Sequence, residues 1–349
     1  MAEPRDGPSV LIVGAGLAGV ACGLALDAAG FRVRLVDKGR APGGRLATSA
    51  TGGSPSGMGQ DAPWRFDHGA QYVTARDDDF RQALDRLVAG GSAARWDGRF
   101  LTLRPDGTAP EADPPPRYVG VPGMTQIPGQ LAFDLDLALE AEMPPPDRMA
   151  DGGWDLGAYG AADLFLVTAP AAQARDLLAA APDLAARTDA ARFAPCIAAM
   201  VGFQGGIDLP AAGFFVEDPD GVLAWVGVNG GKPGRPSGTT CLTLHGTAEW
   251  SAAHLDTDKD VAKHALLRRF RALAGDALGL DLPGTPAYFA AHRWRHARAV
   301  SFAAACFDEG ADAGFAGDWA PPDGRGAGRA EDAWRGGRAL ARAVIAARG

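Results

Sequence analysis

The stretch that most constrains this chain runs from Val10 to Asp37. Val10-Leu11-Ile12-Val13 leads into Gly14-Ala15-Gly16-Leu17-Ala18-Gly19, a helix-like run of about 12 residues follows, and Phe31-Arg32-Val33-Arg34-Leu35-Val36 ends on Asp37. The pattern predicts a strand, a glycine turn, a helix and a second strand closed by a carboxylate. Gly14 permits the tight turn, Gly16 lets a pyrophosphate approach the backbone, and Gly19 lets helix and strand pack closely. The helix N-terminus offers the free N–H groups of Leu17 and Ala18 to the anion. Asp37 stands 23 residues after Gly14, near the spacing at which a carboxylate binds the ribose hydroxyls of a dinucleotide.

In a chain with 48 glycines a bare G-x-G-x-x-G carries little weight; the flanking strand, helix and acid supply the context that gives it meaning. Ser9 to Leu26 carries no charge and follows Arg5, the outline of a signal peptide or a membrane span. Its internal glycines and its direct continuation into an amphipathic strand argue against both, and no other segment is long and apolar enough to span a bilayer. A chain of 349 residues, 47% hydrophobic, exceeds one ordinary core, so two soluble domains are expected. The net charge of −8 and isoelectric point near 5.3 disfavour nucleic acid or anionic membrane as partner. Cys22, Cys196, Cys241 and Cys306 stand far apart, which points to buried thiols in a reducing cytoplasm rather than a disulfide framework. The preference for arginine over lysine fits a GC-rich bacterial genome.

After Asp37 comes Lys38-Gly39-Arg40-Ala41-Pro42-Gly43-Gly44-Arg45. The glycine pair brings backbone close to a ligand, and the planar fork of Arg45 suits a pyrophosphate. Here the chain resembles the large FAD-dependent family that includes amine oxidases, whose second strand is followed by such a G-G-R. The resemblance implies FAD rather than NAD alone, with Lys38, Gly44 and Arg45 added to the cofactor site. Asp37 takes the place of the family's longer Glu.

Further along, Ser49 to Pro63 reads as a loop and Phe66 to Thr74 as a strand. The resemblance implies that this strand passes beside the flavin, Gly69 and Ala70 allowing close approach while Gln71 and Tyr72 face the substrate. Asp77 to Val88 reads as a helix, Trp96 to Leu103 as a strand pair around Asp97-Gly98, and Pro105 to Pro116 as a proline-rich excursion. A short helix ends near Asp134, and Asp163 to Pro170 has the apolar character of a buried parallel strand. Ala194 to Phe203, Val222 to Val226 and Thr240 to His245 fit one further sheet. Trp225 and His245 are candidates to line a pocket for a flat ligand, with ordinary core packing as the alternative. Asp258 to Ala274 is an amphipathic helix. In Ala291 to Ala297, His292, Trp294 and His296 share one strand face and two arginines the other; the arginines oppose a cation, so no metal site is expected.

Asp67 to Tyr72, Ala194-Pro195-Cys196, Lys232-Pro233-Gly234-Arg235, Trp250-Ser251 with His254-Leu255, and His292 to Arg295 together resemble the bacterial renalase-like branch of that family over nearly the whole chain. Gly314-Phe315-Ala316-Gly317-Asp318-Trp319 is similar to the second FAD signature, which implies that Asp318 binds a ribityl hydroxyl and Gly317 admits the chain. A helix from about Ala330 follows, with Asp332 in place of a usual Gly. The resemblance implies an α/β fold: a Rossmann-type FAD domain and a substrate domain on a mixed sheet, the p-hydroxybenzoate hydroxylase/amine oxidase architecture. The expected division is residues 1–76, 118–190 and 298–349 for the FAD domain and 77–117 and 191–297 for the substrate domain. The expected activity is hydride removal from a reduced nicotinamide compound, an isomer of dihydro-NAD(P), with oxygen as acceptor. Gln71, Tyr72, Trp225, His245 and Trp294 are the substrate-binding candidates, and no residue is assigned as catalytic acid or base. An amine oxidase or related dehydrogenase, and a flavin-binding protein without turnover, stay open as alternatives. Lys232, set among glycines and prolines, reads as part of an exposed loop.

Overall fold

The computed structural model describes residues 6–51 and 64–349. Of the loop expected from Ser49 to Pro63, residues 52–63 lie outside the described residues, and its first residues belong to the strand Thr48–Thr51, paired with Trp64–Asp67.

Ser9–Val13 lies inside a six-stranded sheet, with Arg32–Val36 and Leu164–Val167 parallel on either side. A central parallel strand must be covered on both faces. Val10 and Ile12 pack against Val20 and Leu26 of the helix Leu17–Ala28 and against Leu340 and Val344 of the C-terminal helix Ala330–Arg348. Leu11 faces the opposite layer, with Trp154, Phe165 and Trp319. Asp136–Ala138 closes one edge; Ala313–Phe315 and the antiparallel Cys306–Asp308 close the other. The register pairs Val13 with Val167, which sets Thr168 beside the glycine turn although 154 residues separate Thr168 from Gly14.

The second sheet has seven strands, in the order Tyr288–Ser301, Arg192–Gln204, Thr239–Gly246, Leu223–Val228, Gly213–Val216, Phe100–Arg104 and Gly107–Pro110. It is mixed, since Gly213–Val216 runs parallel to Phe100–Arg104 and the other pairs are antiparallel. Helix Lys259–Leu278, capped by the Asp258 side chain, buries Leu266, Leu267, Phe270 and Leu273 against one face. In Arg192–Gln204 the pairing register shifts between Ala194 and Cys196. Pro195 has no N–H for the ladder, and a bulge is where a strand accommodates such a residue.

Two local expectations are corrected. Asp97-Gly98 does not join two paired strands: Ala93–Arg95 pairs with Tyr118–Gly120, and Phe100–Arg104 joins the large sheet. The proline-rich stretch instead holds a hairpin, Phe100–Arg104 with Gly107–Pro110, whose two-residue turn is Pro105-Asp106. The helix expected from Asp77 is present as Asp78–Ala89, with the Asp77 side chain accepting from Phe80 N at 2.9 Å.

Candidate functional site

The turn after Ser9–Val13 opens onto a cavity of about 860 Å³ lined from both sheets. Gly14 adopts φ +108°, and a Cβ there would lie 2.7 Å from Thr168 Oγ1. Gly16 is different. Its φ of −72° suits any residue, and a Cβ on it would meet no protein atom within 4 Å. Nothing in the fold demands glycine at 16; the room it leaves belongs to the cavity. Leu17 and Ala18 line the same wall, and because the first intrahelical bond runs from Val20 N to Gly16 O, their N–H groups are among the helix's orphan donors.

Asp37 and Lys38 continue this wall. The Asp37 carboxylate accepts from Ala15 N and Gly39 N, both at 2.7 Å, so the shorter acid also ties the glycine turn to the loop after the second strand. Gly44 lies near Gly16, with 3.8 Å between the position of its Cβ and Gly16 Cα. Arg45 and Asp318 form a two-pronged pair across the cavity, Nη1 to Oδ2 at 2.7 Å and Nη2 to Oδ1 at 2.5 Å. Gly317 and Asp318 line the same cavity as the first glycine turn.

The strand expected over Phe66 to Thr74 ends at Asp67, where the chain turns. Gly69 and Ala70 line the cavity and press on the backbone of Arg45: a Cβ at 69 would fall 2.0 Å from Arg45 O, to which Ala70 N donates at 2.8 Å. The resemblance implies that Gln71 and Tyr72 face the substrate, but after this turn neither lines the cavity. Gln71 is buried behind the wall, its amide donating to Asp67 O and, at 3.3 Å, to Gly69 O. Tyr72 packs edge-on to Phe100 and Trp225, with the Arg117 guanidinium 4.8 Å from its ring centre.

Trp225, His245 and Trp294 do line the cavity. The polar atoms of two of them point back into the protein: His68 O accepts from Trp294 Nε1 at 2.9 Å and lies 3.3 Å from His245 Nε2. They therefore hold the His68-Gly69-Ala70 wall as well as offering ring faces. His68 stacks on Trp294, with centroids 5.3 Å apart, and lies 4.7 Å from the ring of His292. Burial, followed by the neighbouring His292, brings His68 down to about 3, against the pull of Asp67. Burial likewise brings His245 down to about 4. Both imidazoles are neutral at ordinary pH.

The C-terminal helix starts at the cavity, with Ala330 and Ala333 on its lining. Asp332 explains its own presence: Oδ2 accepts from Ala327 N at 2.8 Å and Arg329 N at 3.1 Å, fastening the preceding loop to the helix start.

Lys232 corrects the expectation of an exposed loop. Its ammonium is buried, donating to Asp67 Oδ2 at 2.8 Å and to Gln71 O at 2.7 Å, and it stands 4.6 Å from the centre of the Trp96 ring. Burial pulls it down to about 8, against the attraction of Asp67. The 0%-exposed Asp67 carboxylate also accepts from Arg235, Thr48 Oγ1 and Met124 N, and its ion partners hold it well below the usual carboxylate range despite burial. Arg298, Met143 and Gln173 on the cavity lining were not picked out by the sequence, and Cys196 was named only within the Ala194-Pro195-Cys196 resemblance, without a site role. Pro195, an unexpected residue for a central strand, was the available signal for Cys196. Among the described residues no three metal-ligating side chains cluster, and no helix is long and apolar enough to cross a membrane.

Residues 12–87 match the NAD(P)-binding Rossmann-like domain family. A 70-residue segment is 41% identical to hydroxyneurosporene desaturase of Rubrivivax gelatinosus, covering 19% of this chain and 13% of that protein's length. The whole chain has counterparts among solved structures. A protein assigned as a protoporphyrinogen oxidase from Exiguobacterium sp. 255-15 matches 98% of this chain and all of its own, with TM-score 0.71 and 13% identity. Cyclohexylamine oxidase from Brevibacterium oxydans IH-35A matches 97% of this chain and 99% of its own, with TM-score 0.70 and 14% identity. Putrescine oxidase bound to putrescine matches 98% of this chain and all of its own, with TM-score 0.65 and 13% identity. At such identities the likeness shows the fold, a Rossmann-like layer joined to a mixed sheet.

Proposed function

We propose that the protein is an FAD-dependent oxidoreductase that takes a hydride from a reduced nicotinamide compound in the manner of the renalase-like branch, with oxygen as electron acceptor. One observation carries the cofactor reading: Gly16 leaves open room at the start of a helix where the fold itself does not need glycine. Free N–H groups at that helix start suit a pyrophosphate, and the carboxylates of Asp37 and Asp318 suit ribose and ribityl hydroxyls. When bound, FAD supplies the hydride acceptor.

The substrate reading is supported by what the cavity wall offers. Trp225, His245 and Trp294 present flat faces, and Lys232, the lysine behind the Gly69–Ala70 part of the wall, is committed to Asp67 and Gln71. His68 and His245 are held neutral. A dihydropyridine suits such a pocket, because losing hydride yields an aromatic pyridinium with no proton to remove; orientation is the main requirement. The test is anaerobic reduction of the purified yellow protein by a panel of dihydro-NAD(P) isomers and amines. Fastest reduction by a dihydropyridine is expected, with a rate constant flat between about pH 6 and 7.5, where a general base would titrate. Faster reduction by amines would overturn the substrate reading in favour of an amine oxidase. Flavin that no donor reduces would favour a binding protein without turnover.

A further inference from the structure

Behind the Gly69–Ala70 wall sits a charged cluster that the hydride-transfer reading leaves unused. The Lys232 and Asp67 side chains are each 0% exposed and that of Arg235 is 1% exposed, so no solvent counter-ion reaches them. The single carboxylate is shared by both cations through Oδ2, while Oδ1 is taken by Thr48 Oγ1 at 2.7 Å and Met124 N at 3.0 Å. Arg235 has no second acid among the described residues, and its Nε and Nη1 are buried without a hydrogen-bond partner. Among these three side chains one acid faces two cations; Arg65, also buried and within electrostatic reach of Asp67 and Arg235, adds a further positive charge beside them. It is coupled to the wall: Lys232 donates to Gln71 O at 2.7 Å, and the Gln71 amide donates to Gly69 O at 3.3 Å.

We propose that Lys232, Asp67 and Arg235 form a fixed positive charge that favours the reduced, more negative state of the ring bound against Gly69 and Ala70. The proposal rests on the flavin reading above. Hydride transfer adds negative charge to the acceptor ring, and a preorganised cation in a dry interior stabilises that charge without reorganising. Water and salt would screen the same charge at the surface. Lys232 and Arg235 act through space, as positioning groups for charge; neither touches the ring's cavity.

A role in electrostatics and a role as a structural pin make opposite predictions for a charge-balanced pair of substitutions. Lys232→Met and Arg235→Met each remove one positive charge from the cluster, whereas Asp67→Asn with Lys232→Met leaves its net charge at the wild-type value while breaking more hydrogen bonds. The readouts are the flavin midpoint potential and the dissociation constant for sulfite, an anion that adds to electron-poor flavin. Either single substitution is expected to lower the potential and weaken sulfite binding by about tenfold. The double variant is expected to recover most of both. Unchanged singles, or a double variant further from wild type than Lys232→Met, would overturn the proposal. If Lys232→Met does not fold, Arg235→Met against Asp67→Asn with Arg235→Met poses the same comparison. A wild-type protein that purifies without flavin would overturn the flavin reading and this proposal with it; flavin-loaded variants of unchanged potential would overturn the proposal alone.

Discussion

Arg45 and Asp318 show what a single residue can reveal in advance and what it cannot. Each charge directly follows a glycine, Arg45 after Gly44 and Asp318 after Gly317, and both were legible as cofactor-site candidates. Their pairing was not, because 273 residues separate them and only the sheet register brings them together. Asp318 is 5% exposed at its side chain, so Arg45→Ala strands a buried carboxylate, at a cost of about 1–3 kcal/mol. Arg45→Ala and Asp318→Ala are each expected to purify with less flavin per chain, released intact by acid, since no covalent attachment is expected. Full occupancy in both would remove them from the cofactor site. Gln71 and Tyr72 were misread for a reason visible at the same scale. The resemblance carried them over along a strand read from Phe66 to Thr74, and the strand stops at Asp67, where buried hydrogen bonds to Asn229 and Thr243 end the run. Lys232 was misread because glycine and proline mark turns without saying whether a turn is covered.

At the scale of elements, the long periodic or uniformly apolar runs were legible, and the short strands between them were not. Val10 to Val13, Asp163 to Pro170 and the C-terminal helix carry their own burial pattern; Ala93–Arg95 and Gly107–Pro110 take theirs from partners distant in sequence or from a turn. The packing of helix Leu17–Ala28 on the C-terminal helix was beyond a one-dimensional reading. It depends on Gly337, where a Cβ would fall 2.1 Å from Ala18 O. Because the obstruction is backbone, Gly337→Ala must push the helices apart and shift the Gly16 to Ala18 turn with them. A loss of about 1–3 kcal/mol in denaturant unfolding is expected, together with weaker flavin retention. Gly206→Ala, with no atom within 4 Å, is the control and should stay within about 0.5 kcal/mol of wild type. Gly16→Val separates the two effects. Its new side chain enters the cavity rather than the protein, so the variant should unfold at the wild-type denaturant concentration when both proteins are stripped of flavin, and should fail to rebind FAD. Rebinding at wild-type affinity would show that the turn is not the pyrophosphate cradle.

The whole molecule is expected to lose stability on mild acidification, well before its ordinary carboxylates titrate. His68 and His245 are held at about 3 and about 4 by burial, so they are neutral in the folded chain and take up protons only when it unfolds. Between the free histidine value near 6.5 and those depressed values the unfolded chain binds more protons, so stability is full above about pH 6.5 and falls as pH drops toward 4. Each histidine contributes on the order of 3 kcal/mol by the bottom of that window. Asp67 acts in a separate window. Its ion partners hold it below the free carboxylate value, so its contribution is intact at pH 5 and is lost only as pH falls below about 4. Unfolding free energies measured from about pH 7.5 to 4.5 therefore isolate the histidines. Replacing His245 with Gln keeps a donor facing His68 O and removes one titrating group; adding His68→Asn removes a second, leaving His292 and His296, which burial also holds below the ordinary histidine value. The double variant is expected to have a shallower slope over this range than the wild type, even if it is less stable at neutral pH. A slope equal to that of the wild type would mean that the two imbedded imidazoles already share protons with solvent, and that the wall they support opens on its own below pH 6.5.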